Sequence, residues 1–434
     1  MRILGLLIIA ISLITPLYWY AGWIAGPNGS AMFSQYIGSI AVISMAISQM
    51  LSTRIRGLET IFGGMDRIYV IHKWLGILAV IAILVHDTVD AELSGKETFL
   101  TDLGETLGEV SLYGILILVV ITIVTFIPYK LWRWTHKFMG AFFVASAIHY
   151  ILLMKPLDPI LPIGLYMLVF CTIGILSYIY TLLPLRGGVS YVVSDVAESN
   201  ATVSVTLMPV KKGISHRAGQ FAFLNFDIPD YTEVHPFTIS SAPKSDGSVR
   251  FTIKRLGDYT SQIGRYLKQG SSAKISRSFG HFRRKNRSPE IWIAGGIGIT
   301  PFLAWAGELA NSSNEPKHPI ELFYCVRDKD EAVHLSELQA NTHWPNFNFH
   351  LVSSEEQGRL SADYIAKTIG FDVASAHAYY CGPEMMRKSM AQGLSRHGLL
   401  SSKFHYEEFE IRSGLGLRQI FSFFGKALKS SKSS

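Results

Sequence analysis

Between Ile3 and Thr53 the chain carries no Asp, Glu, Lys or Arg. A run of that length without charge cannot be a solvated surface segment, and it reads as the start of a membrane domain. Six apolar stretches, near 3–24, 33–52, 69–87, 110–127, 138–154 and 160–184, each approach the roughly 20 helical residues needed to cross a ~30 Å hydrocarbon core. Met1-Arg2 ahead of the first stretch leaves a secretory signal as the alternative there, but the run is too long for an h-region and lacks a small-x-small cleavage site. Beyond about Leu185 the composition becomes that of a water-soluble protein. The 434 residues therefore divide into a membrane half and a soluble half.

The loops orient the bundle. Arg54, Arg56 and Arg67 lie in one loop and Lys130, Arg133 and Lys137 in another, whereas 87–109 holds seven acids and one lysine. Basic loops stay in the cytoplasm, which places both termini and the soluble half inside. The expected location is a cell membrane.

Only four of the 14 histidines fall in the membrane half, and two of them open a repeated frame, HKWLG at 72–76 and HKFMG at 136–140. His86 follows His72 by 14 residues, and His149 follows His136 by 13. The third and fifth spans run the same way, so His72 and His136 lie near the inner face, with His86 and His149 near the outer. The two levels are roughly 20 Å apart at 1.5 Å per residue, room for one haem near each leaflet. Intramembrane ionisable groups mark function by default; imidazoles bonding neighbouring helices are the alternative. A 14-residue step returns to within about 40° of the same face, but a 13-residue step lands about 140° away, so the fifth span needs a local distortion or differently oriented haems. Gly76 and Gly140, one turn past their histidines, would let a flat macrocycle approach the backbone, and they serve helix packing equally well.

These histidines, the lead-in MDRIYVIHK at 65–73 and the motifs of the soluble half resemble the NADPH oxidase and ferric reductase superfamily, in particular its prokaryotic oxidase-like flavocytochromes b. The resemblance runs from about 45 to 410. It implies that His72, His86, His136 and His149 ligate two b haems, with Phe142 as the aromatic between them.

In the soluble half, the β-patterned runs YVVSDV, ATVSVTLMPV, GQFAFLNF and VRFTIKRL suit an antiparallel barrel. HPFTISSAP at 235–243 resembles the flavin signature of ferredoxin reductases: Phe237 would pack on the ring while Thr238 and backbone N–H groups bond its polar edge. His235, Pro236, Ser240 and Ser241 complete that candidate set. LGDYTSQIG at 256–264, with Gly257 and Thr260, looks like a glycine turn opening a helix whose N-terminus would take the FAD pyrophosphate. IWIAGGIGITPFLAW at 291–305 passes from a β-run through Gly295, Gly296 and Gly298 to Thr300-Pro301 and a helix, the pattern of a dinucleotide turn. YYCGPEMM at 379–386 supplies Cys381, Gly382 and Pro383, which the same reductases set beside the nicotinamide. Cys381 as a buried core thiol is the other reading. The three cysteines form no CxxC or CxxCH motif.

Arg327 in FYCVRDKD is a candidate for the NADPH 2′-phosphate or a solvated surface residue. In YEEFEIR at 406–412, Glu407 and Phe409 match the position where relatives place a ring on the flavin; packing alone also accounts for a phenylalanine there.

The expected fold is a six-helix transmembrane bis-haem bundle (1–185), an FAD-binding β-barrel (186–286), an α/β NAD(P)H-binding domain (287–412) and a basic amphipathic tail (413–434). Electrons would pass from cytoplasmic NADPH, with NADH as an alternative donor, through FAD and two haems b to an outside acceptor. Oxygen giving superoxide is favoured over a ferric chelate, although Asp87, Asp90 and the acidic loop would attract a cation. A receptor or channel with a degenerate reductase domain is the alternative of another class. The lipid bilayer is the one macroscopic partner; no nucleic acid and no obligate regulatory protein are expected.

Overall fold

The computed structural model describes residues 3–407 except 27–28, 56, 90–97, 125–126, 128, 154–161, 184–187, 200, 230 and 313–314. The chain forms two compact units, one from its start to Leu185 and one spanning Arg186–Phe409. Asp90, Phe409 and the tail from 413 lie outside the described residues.

The first unit is helical: α1 (Ile3–Ile24), α2 (Gly29–Ser52), α3 (Leu58–Phe62), α4 (Met65–Thr88), α5 (Phe99–Ile123), α6 (Tyr129–His136), α7 (Met139–Leu152) and α8 (Pro162–Leu182). Among the described residues five helices are long and apolar enough to cross a membrane, Ile3–Gly22, Gly29–Ser52, Arg67–Thr88, Phe99–Ile123 and Pro162–Leu182. The fifth expected stretch, 138–154, is carried by α7, whose 14 residues reach about 21 Å, and a division separates it from α6, which ends in His136.

The division has a local cause. Lys137 N bonds Trp134 O, Phe138 N bonds Thr135 O and Gly140 N bonds Lys137 O, a run of i to i−3 contacts. Such 3₁₀-type turning rotates the chain further per residue than an α-helix. That rotation is in the sense that carries His149 back toward the face of His136, so the distortion demanded by the 13-residue spacing lies between them. α2 is the most covered helix, with Ser39, Ile43, Ser44 and Ala46 fully buried, and it packs on α1, α4 and α8. α7 packs on α5 and α8.

The second unit holds two sheets. β1 (Val189–Glu198), β2 (Thr202–Pro209), β3 (Phe221–Phe226), β4 (His235–Thr238), β5 (Val249–Lys254) and β6 (Ser272–Phe279), with α9 (Asp258–Tyr266) between the last two, form a sheet of order β4-β3-β6-β1-β2-β5. Every pairing in it is antiparallel. A bridge from Ile239 to Phe251 joins its two edge strands, so the sheet curls to near closure around Tyr191, Val205, Leu224, Phe226 and Phe251.

The other sheet alternates strand and helix: β7 (Glu290–Gly295), α10 (Thr300–Ala310), β8 (Ile320–Val326), α11 (Leu335–Gln339), β9 (Phe347–Ser353), α12 (Ser354–Gln357), α13 (Ala362–Thr368), β10 (His377–Cys381), α14 (Glu384–Arg396) and β11 (Phe404–Glu407). Its order is β11-β10-β7-β8-β9, all parallel. Trp292 and Ala294 of β7 face one apolar layer and Ile291 and Ile293 the other, as expected for a parallel sheet covered on both sides. The strand order reverses between β7 and β10. A crevice at such a switch point, beyond the carboxyl ends of the strands, is where open α/β sheets bind ligands.

Candidate functional site

The membrane histidines meet in two pairs. The rings of His72 and His136 have centroids 6.2 Å apart and lie at 65°, and those of His86 and His149 are 6.2 Å apart at 76°. Two imidazoles sharing one metal through ~2.0–2.1 Å bonds would have centroids about 6.3 Å apart, so both pairs fit one iron between them. Three of the four rings are held through Nδ1. Nδ1 of His72 lies 3.1 Å from Ser48 O and 2.7 Å from Ser48 Oγ, that of His86 lies 2.9 Å from Ser34 O and 2.8 Å from Ser34 Oγ, and Nδ1–H of His149 donates to Gly104 O at 2.8 Å. A carbonyl only accepts, so Nδ1 of His149 holds the proton and its Nε2 presents the lone pair, the usual arrangement of a metal-bound histidine; the carbonyls at His72 and His86 match the same arrangement, with a serine hydroxyl beside each ring. His136 differs: its buried Nδ1 has no partner, and its ring stacks on Trp132, 5.3 Å away at 29°.

No group of three or more His, Cys, Asp or Glu placed to hold a metal ion occurs among the described residues. Each pair therefore suits a metal whose remaining ligands arrive with it, as in a haem.

Neighbouring glycines serve different ends. A Cβ on Gly76 would meet nothing within 4 Å, so that position stays open to a flat ligand. One on Gly140 would lie 2.0 Å from Tyr178, so Gly140 serves packing against α8, a correction to its reading as a place for a macrocycle. Phe142 lies in α7 between the two histidine levels, half-buried, with its ring against Gly114 of α5.

In the barrel, Thr238 closes β4, and its buried Oγ1 has no hydrogen-bond partner. Burying a hydroxyl without a partner costs about 1–3 kcal/mol, so this atom is prepared for a group the chain does not supply. Phe237 beside it is half-buried against the barrel core. His235 Nε2 sits 2.8 Å from Glu233 Oε2, and its ring lies 4.2 Å from that of Tyr259. Tyr259, within LGDYTSQIG but not among the sequence candidates, has a second partnerless buried hydroxyl. Burial, then the Glu233 carboxylate, holds that phenol above its ordinary pKa.

Gly257 precedes α9 with open space beside its Cα, and Thr260 Oγ1 accepts from its N–H at 3.0 Å. Ser240 and Ser241 are engaged elsewhere: Ser240 Oγ bonds Arg250 O and Thr252 Oγ1, and Ser241 Oγ accepts from Arg250 N. Their hydroxyls serve the sheet and its junction with the nucleotide domain, which corrects their placement on the flavin.

At the crevice between β7 and β10, a Cβ on Gly298 would lie 2.1 Å from Cys381 O, and one on Gly295 would lie 2.7 Å from Pro383. These glycines are spent on bringing two loops to backbone contact. Gly296, at φ +55 with open space beside it, is the one that leaves its backbone accessible. Thr300 Oγ1 bonds Ile297 O, and Pro301 sits in the first turn of α10, so both build the helix start. Cys381 is fully buried, in register with Ala294 and Glu407. Burial and then the Glu407 carboxylate raise its thiol well above the ordinary value, so it stays protonated at neutral pH. A Cβ on Gly280 would lie 3.3 Å from Glu407 Oε1, which sets that carboxylate at the barrel's edge. Gly382 and Pro383 follow, Pro383 O accepting from Tyr380 Oη at 2.7 Å. Arg327 ends β8 with its side chain 77% exposed, paired with Glu355 at 2.8 Å.

Apolar spanning helices, an antiparallel near-barrel and a parallel nucleotide sheet define a transmembrane FAD- and NAD(P)H-dependent oxidoreductase. Family models match in the same order: a ferric reductase like transmembrane component at 37–147, an FAD-binding domain at 190–300 and an oxidoreductase NAD-binding domain at 292–392. With that signature the chain belongs to the NADPH oxidase and ferric reductase superfamily.

Its soluble half is similar to the toluate 1,2-dioxygenase electron transfer component of Pseudomonas putida, 27% identical over 238 residues covering 52% of this chain and 68% of that one. It is also similar to a flavohemoprotein of Deinococcus radiodurans, 26% identical over 214 residues, 44% of this chain and 51% of that protein. Among solved structures, the FAD/NAD-binding domain of nitric oxide dioxygenase from Vibrio cholerae O1 biovar El Tor covers 52% of this chain and 99% of its own, with 22% identity and a TM-score of 0.46.

Thr238→Val offers a direct check on the flavin face. It removes the partnerless hydroxyl, so FAD affinity is expected to fall about tenfold, while the cofactor-free protein keeps or gains thermal stability. Fluorescence titration with FAD alongside a melting curve reads both; unchanged affinity would take Thr238 off the flavin.

Proposed function

We propose that the chain carries electrons across the membrane, from cytoplasmic NADPH to an acceptor on the opposite face, with oxygen reduced to superoxide. The reading is carried by the two histidine pairs, equal in spacing and with Nδ1 of three of their four rings held at a backbone carbonyl. His72 and His136 would hold one b haem toward the cytoplasm, and His86 and His149 the second toward the outside. FAD supplies the conversion between a two-electron donor and one-electron carriers.

The protein's own groups do the positioning. Thr238 and Phe237 orient the flavin edge, Gly296 and the start of α10 present backbone N–H groups to a pyrophosphate, and buried Cys381 with Glu407 borders the place for a nicotinamide. Arg327 serves a 2′-phosphate by exchanging its exposed partner Glu355. Phe142 stands between the haem levels.

Ferric reduction is the second reading, favoured by exposed Asp87 immediately beyond His86 and by the acid-rich segment that follows, which would concentrate a cation. Cytochrome c reduction by the purified protein with NADPH separates the two. Suppression by superoxide dismutase is expected. Anaerobic ferric-chelate reduction that is much faster, with no effect of dismutase, would replace oxygen by metal.

A further inference from the structure

The barrel and the nucleotide sheet meet along several contacts, and two of them differ in chemistry. One is apolar: Phe282 stacks on Trp305 of α10 at 4.9 Å and 21°, and a Cβ on Gly219 would lie 2.8 Å from Trp305 Nε1. The other is polar and centres on His334, at the N-terminus of α11. Its Nε2 lies 3.2 Å from Ser204 Oγ of β2 and 3.1 Å from Thr252 Oγ1 of β5. One turn on, Glu337 takes Arg250 of β5 in a fork, 2.8 Å and 3.0 Å.

The network continues toward the flavin strand. Arg250 Nη2 donates to Ser240 O at 2.9 Å, and Ser240 Oγ meets Thr252 Oγ1 at 3.0 Å. Ser240 is two residues past Thr238. Ser204, Ser240 and Thr252 are all buried, which makes their hydrogen bonds costly to lose. Burial, then Arg250, lowers the His334 pKa against the pull of Glu337, favouring an imidazole that accepts from these hydroxyls.

His334 also holds a left-handed backbone, φ 56 and ψ 32, costing about 1–2 kcal/mol for a residue with a Cβ. Glycine would take that conformation freely. A strained residue spent on a contact between two domains points to a requirement of the contact rather than of the turn.

We infer that His334, with the Arg250–Glu337 fork, is a positioning latch that fixes the rotation of the nucleotide domain about its apolar contact with the barrel. The apolar stack and the close backbone approaches at Gly280 and Gly307 carry no directional side-chain hydrogen bond, whereas the His334 and Arg250–Glu337 contacts are directional and oppose rotation. The rotation sets where a nicotinamide held at the β7/β10 crevice meets a flavin held at Thr238, and misplacement by about 1 Å costs hydride transfer up to roughly 100-fold. The latch rests on the flavin and nucleotide domains and is independent of the membrane histidines.

The test uses full-length protein carrying His334→Gly, which deletes the imidazole while suiting the backbone, and His334→Asn, which tolerates the same backbone and retains an acceptor. Glu337→Gln supplies a second break. His334→Gly and Glu337→Gln should slow NADPH-driven flavin reduction about tenfold with nucleotide affinity and melting temperature little changed, and His334→Asn should recover most of the rate. Without any cofactor, nitroxide labels at Lys212→Cys and Gln357→Cys in a Cys325→Ser background should show a broadened distance distribution for His334→Gly and a narrow one for His334→Asn. Flavin reduction within about twofold of the parent, or a slower rate with an unchanged distribution, overturns the latch.

Discussion

His86→Ala and His149→Ala are each expected to remove one of two haems from the purified protein and leave the other in place. Each pair presents two imidazoles at 6.2 Å, the spacing one iron requires, and in the outer pair both rings are held through Nδ1 by backbone carbonyls. Deleting one ring leaves a site with a single protein ligand, whereas the pair His72 and His136, at the other histidine level, is untouched. The haem-to-protein ratio should fall from about two to about one, with the Soret band roughly halved. Flavin reduction by NADPH should persist, because the flavin and nucleotide groups belong to the other unit. Pyridine haemochrome analysis gives the ratio and stopped-flow absorbance the flavin rate. A ratio near one in the parent protein, or spectra unaltered in both variants, would remove the haem assignment.

Gly298→Ala is expected to be the most damaging small substitution in the soluble half. The added Cβ would sit 2.1 Å from Cys381 O, a backbone atom at the carboxyl end of β10, paired between β11 and β7. No flexible side-chain end can yield, so the two crevice loops must separate. Overpacking of this kind costs about 3 kcal/mol or more, which for a unit of this size lowers the melting temperature by about 10 °C. Reduction of bound FAD by NADPH should fall at least about 100-fold as the crevice opens, while dithionite still reduces the flavin. Gly296→Ala makes the useful comparison: it meets open space, and its cost is the left-handed backbone, about 1–2 kcal/mol. Equal stability in the two variants would show that the loops have room to move.

The sequence makes some of this legible because the signal is local. A 14-residue interval keeps His72 and His86 on one helical face, and the β-turn-helix passage through GGIGITP is written in adjacent residues. What escapes depends on neighbours distant in the chain. Nothing around His72 announces Ser48, nor around His149 the carbonyl of Gly104, since a backbone acceptor has no residue type. Gly140 has the frame of Gly76, yet Tyr178 of α8 decides its use. Ser240 and Ser241 sit in a flavin-like motif, but Arg250 and Thr252 on the adjoining strand claim their hydroxyls. The interruption after His136 left one trace, the 13-residue interval, which no straight helix reconciles with two ligands on one face. Tyr259 could have been singled out as the aromatic in the first turn of α9, but its partnerless hydroxyl appears only once the barrel is closed.

The central claim is that electrons cross the bilayer within this chain. Proteoliposomes containing the purified protein with FAD and haem, oxidised cytochrome c sealed inside and NADPH added outside, test it most directly. Molecules whose soluble half faces outward should reduce the trapped cytochrome c, with superoxide dismutase in the lumen suppressing the signal and dismutase outside having no effect. Rapid NADPH consumption with the trapped cytochrome c left oxidised, and reduction confined to acceptors on the NADPH side, would contradict transmembrane transfer.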